Sequence, residues 1–174
     1  MKSQFLIVLL SFVLATSTKA QQTPSADAVL QEAYAKAAKE NKKIMVIFHA
    51  SWCVWCHKMD SSLNDASVKD YFDKNYVITH LTINESANKK ALENAGAMEL
   101  KSEWGGAKIQ SIPYWVILDK EGKVLADSQI ESGKNVGCPA NEEEVQHFIN
   151  VLKKTSLITN EQVASVEKRF REND

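Results

Sequence analysis

The sequence predicts an α/β protein in which helices flank a central mixed β-sheet. The apolar run at 44–48 is bounded by polar residues, which is typical of a strand buried on both faces. Segments of helical periodicity alternate with strand-like runs along most of the chain, as in layered α/β folds. The last two strand candidates are separated only by the turn at 119–123, so we expect them to pair antiparallel.

The elements of the first half follow from apolar spacing. Apolar residues recur every three or four positions between 25 and 41, which predicts an amphipathic helix. The buried strand comes next, and a helix-competent segment opens at Cys53. A further helical stripe around Tyr71 precedes a strand at 76–83.

The second half is predicted in the same way. Residues 86–101 have a helical pattern with a break at Gly96, and 114–118 and 124–127 are the hairpin strands. Residues 133–139 look irregular. Asn141 and Glu144 have the spacing of a capping box, so a helix begins there, and a final helix carries the apolar positions Val163, Val166 and Phe170.

The N-terminus has the pattern of a secretory signal peptide. Lys2 precedes an apolar stretch at 5–14, and small residues surround Ala20, so 1–20 is predicted as the signal and 21–25 as a short linker. The alternative is an uncleaved N-terminal anchor. No later run approaches the roughly 20 apolar residues that a spanning helix needs, so we expect no stable membrane insertion of the mature chain.

Size and charge limit the classes of partner. Cleavage would leave 154 residues, enough for one domain with a sizeable core, and loss of Lys2 and Lys19 changes the net charge from −1 to −3. Because phosphate binding depends on basic clusters and none is evident, we expect no nucleic-acid partner.

The segment from Trp52 to His57 is the most informative motif. Cys53 and Cys56 form a C-x-x-C pair directly after the buried strand. A cysteine at a helix N-terminus meets free N–H groups and the positive end of the helix dipole, which lower its pKa. Cys56 lies on the same helical face, so the pair could close a disulfide or resolve a mixed one.

Two other chemistries use the same residues. Together with His57, the pair spells C-x-x-C-H, the attachment pattern of c-type haem, although such cytochromes are usually helical and do not place the motif after a buried strand. A zinc site with a fourth ligand is also conceivable, but no second C-x-x-C or H-x-x-x-H supports it. We therefore predict no metal.

With these residues, the chain resembles the thioredoxin-like superfamily, particularly exported bacterial thioredoxin-fold proteins with a W-C-x-x-C motif. The likeness covers about 26–152 and includes 48–56, the Ser111-Ile112-Pro113 segment and the turn at 120–123. It implies a thioredoxin-like domain at 26–154. The remaining residues, 155–174, would form a C-terminal helical extension packed on that domain.

The resemblance also implies roles for individual residues. Cys53 would be the exposed nucleophile and Cys56 the buried resolving thiol. Ile112-Pro113 would be a cis bond facing the disulfide, although the residues alone indicate an ordinary strand-entry proline, since only about 5–6% of X–Pro bonds are cis. Ile112 and Pro113 would expose backbone groups for an extended substrate, and the remaining contacts would come from an apolar rim formed by Trp52 and Trp55.

The function implied is that of an exported thiol-disulfide oxidoreductase, periplasmic or otherwise exported, that acts on protein thiols and disulfides. It would need no cofactor beyond the redox-active pair Cys53 and Cys56, and sustained reduction would require a membrane electron donor. The alternative from another class is a binding or assembly module in which the cysteine pair is structural or sensory.

The chain departs from the family in ways that bear on this choice. Thioredoxins carry a buried acid where this chain has Ile47. His49 and His80 are the candidates for a substitute base, or else hydrogen-bonded core histidines. Val54-Trp55 adds no positive charge between the cysteines, which predicts a reducing couple. The third cysteine, Cys138, is either an unremarkable free thiol or part of a regulatory or intermolecular disulfide.

Overall fold

The computed structural model describes residues 23–174. The predicted signal peptide, its cleavage near Ala20 and the first linker residues lie outside the described part. Within that part, no helix is both long and apolar enough to cross a bilayer. The elements in chain order are α1 (Ala26–Glu40), β1 (Lys43–His49), α2 (Val54–Leu63), α3 (Lys69–Asn75), β2 (Tyr76–Thr82), α4 (Ala97–Glu103), β3 (Tyr114–Leu118), β4 (Val124–Asp127), β5 (Gln129–Glu131), β6 (Lys134–Asn135), α5 (Glu142–Thr155) and α6 (Asn160–Arg171).

Four strands form the central sheet in the order β2-β1-β3-β4. Strand β1 runs parallel to β2 and antiparallel to β3, and β3 pairs antiparallel with β4 through the predicted turn. The mixed sheet expected from the sequence is therefore confirmed. Every residue of β3 and residues 44–48 of β1 are buried, as their continuous apolar runs predict for strands covered on both faces.

Side chains of β1 and β3 alternate between two cores because successive strand residues point to opposite faces. One core lies under α1 and α4 and includes Val46 and Val116. The other lies under α2, α3, α5 and α6 and includes Ile47 and Trp115. Ile47, the residue at the family's acid position, is thus fully buried among apolar side chains.

Helix ends follow the local sequence. Asn141 and Glu144 form the predicted capping box, in which each side chain bonds the other residue's backbone N–H. Cys53 is the N-cap residue of α2, so the helix begins at the motif as the sequence predicts. These caps mark where α2 and α5 begin.

Two segments differ from the sequence prediction. The predicted helix at 86–101 is a 3₁₀ helix at Ala87–Leu92 followed by α4, with Gly96 between them at a φ of +87°. No residue of the 3₁₀ segment is buried, so no packing stabilises a full α-helix there. Part of the irregular stretch at 133–139 is strand β6, whose two residues are too few to leave a strand pattern in the sequence.

Helix α6 packs on the domain through Val166 and Phe170, which are fully buried in the core under α5. Beyond it, Asn173 is also buried and donates a hydrogen bond of 3.0 Å to Ser62 of α2. Lys58, one turn earlier on α2, donates to the Asn173 carbonyl at 2.9 Å. The C-terminal segment therefore contacts the helix that carries the cysteine motif.

Candidate active site

The two motif cysteines form a disulfide at the N-terminus of α2, just after the central strand β1. The Cys56 backbone N–H donates to the sulfur of Cys53 at 3.1 Å. This bond uses one of the N–H groups that a helix leaves unpaired at its first turn. The sulfur of Cys53 thus lies where the backbone can stabilise negative charge.

Both cysteines are nearly inaccessible, with Cys53 3% and Cys56 1% exposed. The expectation that Cys53 is exposed is wrong for the disulfide form, because Ala50 and Ile112 pack against the pair. The rim residues are open to solvent, with Trp52 56% exposed and Trp55 46% exposed. An apolar surface therefore surrounds a covered disulfide.

The segment before β3 lies against the disulfide. The Cys53 sulfur is 3.6 Å from the carbonyl oxygen of Ile112, and the Ile112–Pro113 peptide bond is cis. A cavity of about 160 Å³ opens beside this contact, with Trp55 and Pro113 in its lining. The fold thus brings the proline segment next to the cysteine motif and its Trp55, although 59 residues separate Cys53 from Ile112 in the sequence.

Trp52 lies on another side of the motif and is held by the residues that follow β2. Its indole N–H donates to the carbonyl of Asn84 at 2.8 Å. Next to it, the Glu85 carboxylate accepts from the Ser51 backbone N–H at 2.5 Å and from the Ser51 hydroxyl at 2.9 Å. Burial opposes ionisation of Glu85, but these bonds outweigh it and keep its pKa below the ordinary value.

No pattern in the sequence indicates this role of Glu85. The residue is 34 positions from Ser51 and belongs to no motif, and only the parallel pairing of β1 with β2 makes them neighbours. The C-terminal ends of parallel strands meet at one edge of a sheet, so the loops after them come together.

The two candidate substitute bases are both hydrogen-bonded. His80 contacts the Asp60 carboxylate of α2 at 2.7 Å, and His49 contacts the Thr82 hydroxyl at 3.1 Å. Their rings are 4.9 Å apart between centroids. Burial, followed by the neighbouring His80, lowers the pKa of His49 and favours its neutral form. Both histidines are therefore hydrogen-bonded and half-buried.

His57 and Lys58 follow Cys56 on α2 and contact the residues around the disulfide. The His57 ring nitrogen Nε2 is 3.0 Å from the Ser51 carbonyl, so the ring folds back on the loop that precedes the motif. The Lys58 ammonium lies 4.3 Å from the centre of the Trp55 ring, a cation–π contact. Within residues 23–174, no three His, Cys, Asp or Glu side chains are placed to hold a metal ion.

Cys138 is a free, buried thiol. The Asn173 side-chain amide donates toward its sulfur at 3.5 Å. Burial raises the pKa of Cys138 to about 12, so its thiolate is scarce at neutral pH. These surroundings are those of a structural cysteine.

A mixed sheet with a Cys-x-x-Cys disulfide at the helix after its central strand defines a thioredoxin-fold protein. The sequence profile of the thioredoxin-like domain matches residues 30–131, more than half of the chain. The chain therefore belongs to the thioredoxin-like domain family. No curated protein sequence matches it.

Solved structures of similar fold include a disulphide isomerase from Xylella fastidiosa Temecula1, at 19% identity and a TM-score of 0.51, covering 88% of this chain and 98% of that one. A DsbH oxidoreductase is 23% identical, with a TM-score of 0.45 over 86% of this chain and 95% of its own. The C-terminal domain of Neisseria meningitidis DsbD is 20% identical, with a TM-score of 0.40 over 60% of this chain and 84% of its own. At such identities the likeness to the first of these is one of fold.

Proposed function

We propose that the protein is a thiol-disulfide oxidoreductase that reduces disulfides in protein substrates. The observation that carries this proposal is the disulfide between Cys53 and Cys56 at the N-terminus of α2, beside the backbone of Ile112. A pair so placed can be both an oxidised product and, after reduction, a dithiol with a stabilised nucleophile.

In the proposed reaction, the Cys53 thiolate attacks one sulfur of a substrate disulfide. The substrate S–S bond breaks, one substrate thiolate leaves and takes up a proton, and a mixed disulfide forms with Cys53. The Cys56 thiolate then attacks the Cys53 sulfur, which closes the Cys53–Cys56 disulfide and releases the second substrate thiol. Two electrons and two protons pass from the enzyme dithiol to the substrate, and an external dithiol restores the reduced pair.

The reducing direction rests on the charges near Cys53. The helix N-terminus and the Cys56 N–H stabilise the thiolate, but Val54 and Trp55 add no positive charge between the cysteines. Lys58 lies over the Trp55 ring instead. Strong oxidants owe their potentials, near −120 mV, to extra stabilisation of the reduced form, so we expect a clearly lower potential here.

The substrate would bind as an extended segment along the apolar rim. Trp52 and Trp55 offer large exposed aromatic surfaces, and Ile112 and Pro113 offer backbone groups at the edge of the cavity. Such a surface suits main-chain pairing with a substrate strand and contact with its apolar side chains. Binding of this kind tolerates many sequences, as a general reductase requires.

We also propose that the protein works after export, in the periplasm. The signal-like N-terminus supports this location. A periplasmic reductase needs electrons from across the membrane, so a membrane-bound dithiol donor is the proposed partner. The two sulfurs carry both electrons, and the reaction requires no flavin, nucleotide, haem or metal.

The test is reduction of insulin by dithiothreitol, with and without the protein. We expect faster insulin precipitation with wild type, none above background with Cys53→Ala, and wild-type rates with the matched control Cys138→Ala. Cys56→Ala should accumulate mixed disulfides that map to Cys53. Wild-type activity no greater than background, together with no adducts in Cys56→Ala, would contradict the proposal.

The second candidate is a binding or assembly module, favoured by one observation. Ile47 fills the position of the family's proton-accepting acid and is fully buried in apolar surroundings. A module would bind a reduced, unfolded protein equally well with Cys53→Ala and wild type, and neither would raise the rate of insulin reduction above the dithiothreitol background. Catalytic turnover that depends on Cys53 decides against it.

A further inference from the structure

We propose that Asn135 is a positioning residue for the segment Ser111–Pro113, so that the β5–β6 hairpin controls how a substrate strand meets Cys53. This inference rests on the proposed function. Asn135 is in strand β6, just beyond the residues 30–131 that match the family profile. Asn135 therefore lies outside the part of the chain that the family profile matches.

The side chain of Asn135 uses all of its hydrogen-bonding capacity. Its amide NH₂ donates to the Ser111 hydroxyl and to the Pro113 carbonyl, both at 3.0 Å. Its oxygen accepts from the Ser128 hydroxyl at 2.6 Å and from the Gly137 N–H at 3.3 Å. An asparagine has two donor hydrogens and two acceptor lone pairs, so none is left unpaired here.

The network is anchored in the central sheet. Ser128 is fully buried, and its hydroxyl accepts from the Trp115 backbone N–H at 3.1 Å while it donates to Asn135. The Ser128 backbone N–H returns a bond to the Trp115 carbonyl at 2.9 Å. A continuous chain of hydrogen bonds therefore runs from β3 through Ser128 and Asn135 to the proline segment, and such chains are rigid when every member is satisfied.

The hydrogen-bond network ends next to the reactive cysteine pair. Pro113, held by Asn135, follows Ile112, whose carbonyl is 3.6 Å from the Cys53 sulfur. Asn135 and Pro113 also line the cavity beside Trp55. A substrate strand that pairs with Ile112 reaches Cys53 in the correct orientation only if this segment is fixed, since small misplacements of reacting atoms cost large factors in rate.

The test compares a disulfide on a peptide, which can pair through its backbone, with a small-molecule disulfide, which cannot. In a Cys56→Ala background, Cys53 attacks either a short peptide whose single cysteine is activated as a mixed disulfide with thionitrobenzoate, or dithiobis(nitrobenzoate) itself. In both reactions the S–S bond breaks, Cys53 forms a new disulfide, and thionitrobenzoate leaves with the electron pair. The coloured leaving group reports both rates.

Asn135→Asp keeps the acceptor oxygen and removes both donors, whereas Asn135→Ala removes both functions. We expect each to slow the peptide reaction by about tenfold, because each variant loses the two hydrogen bonds from Asn135 to Ser111 and Pro113, and to change the small-reagent rate by less than about twofold. Lys134→Ala, on the same hairpin and in an exposed ion pair with Glu143, should alter neither rate.

The outcomes separate this inference from the proposed function. If the ratio of the peptide rate to the small-reagent rate is unchanged in both Asn135 variants, the positioning role is overturned while Cys53 stays reactive. The same holds if the variants have a lower melting temperature but an unchanged ratio. A Cys53 thiol that reacts with neither probe in the parent background overturns the proposed function and this inference with it. A selective loss of the peptide rate supports the positioning role.

Discussion

The carboxylate of Glu85 accepts two hydrogen bonds from Ser51, one from its backbone N–H and one from its hydroxyl. Ser51 lies two residues before Cys53, in the loop that joins the central strand to the helix of the motif. Lys89 also donates to the Ser51 hydroxyl oxygen at 3.3 Å. The loop after β2 thus holds the loop between β1 and α2 in place beside the disulfide, although the two loops are far apart in the sequence.

We expect Glu85→Ala to destabilise the protein by about 2 kcal/mol, because hydrogen bonds to a charged group contribute roughly 1.5–3 kcal/mol and the Ser51 N–H would lose its partner. Urea unfolding monitored by circular dichroism measures this loss. The control is Glu99→Ala, which removes an exposed carboxylate of α4. Equal stabilities of the two variants would contradict the role assigned to Glu85.

The contribution of Glu85 should also depend on pH. Its pKa in the folded state is lowered, so its stabilisation is fully present above the ordinary glutamate pKa, about 4.3, and is lost as pH falls through the folded value. We therefore expect the difference in unfolding free energy between wild type and Glu85→Gln to shrink as the pH falls below the ordinary glutamate pKa. A difference that stays constant from neutral pH down to acid would contradict the prediction.

His49 should make stability fall on mild acidification. Burial lowers its folded-state pKa below the ordinary value of about 6.5. Between the two values the unfolded chain binds a proton that the folded chain does not, so stability is present above pH 6.5 and decreases as pH falls. Urea titrations from pH 7.5 to 5.5 should give a weaker pH dependence for His49→Asn than for wild type, and identical slopes would contradict this account.

Cys138 should resist alkylation in the native protein. Its pKa of about 12 leaves little thiolate at pH 8, and the side chain is buried. After mild reduction, iodoacetamide followed by peptide mass mapping should label Cys53 first and leave Cys138 unmodified until urea is added. Rapid native labelling of Cys138 would instead support the regulatory or intermolecular alternative.

Gly106→Ala should be strongly destabilising. A methyl group at this position would lie 2.8 Å from both the Lys101 side chain and the Tyr114 ring, and 2.9 Å from a backbone oxygen. Overpacking of this kind usually costs about 1–3 kcal/mol. Gly133→Ala is the control for space, since nothing lies within 4 Å of its added methyl, although its φ of +89° adds some strain. Thermal unfolding should give a lower melting temperature for Gly106→Ala than for Gly133→Ala, and equal melting temperatures would contradict the prediction.

Much of the fold could be predicted from local patterns. The apolar run at 44–48 is a buried strand, the turn at 119–123 joins antiparallel strands, and the capping box at Asn141 begins α5. The two segments that differ from the prediction bury little. Residues 87–92 have a helical spacing, but none of them is buried and they form a 3₁₀ helix, whereas the two residues of strand β6 are too few to show the alternation of a strand.

The sequence by itself determined that Cys53 and Cys56 lie close enough to form a disulfide, because two cysteines three residues apart at a helix start are neighbours whatever surrounds them. Only the tertiary structure decided how that pair is covered and held. Ile112 shields Cys53. Glu85 holds the loop before the motif through Ser51, 34 residues away, and Asn135 holds the proline segment through Pro113, 22 residues away. Such contacts depend on strand pairing and on the satisfaction of buried polar groups, and neither leaves a pattern in the residues nearby.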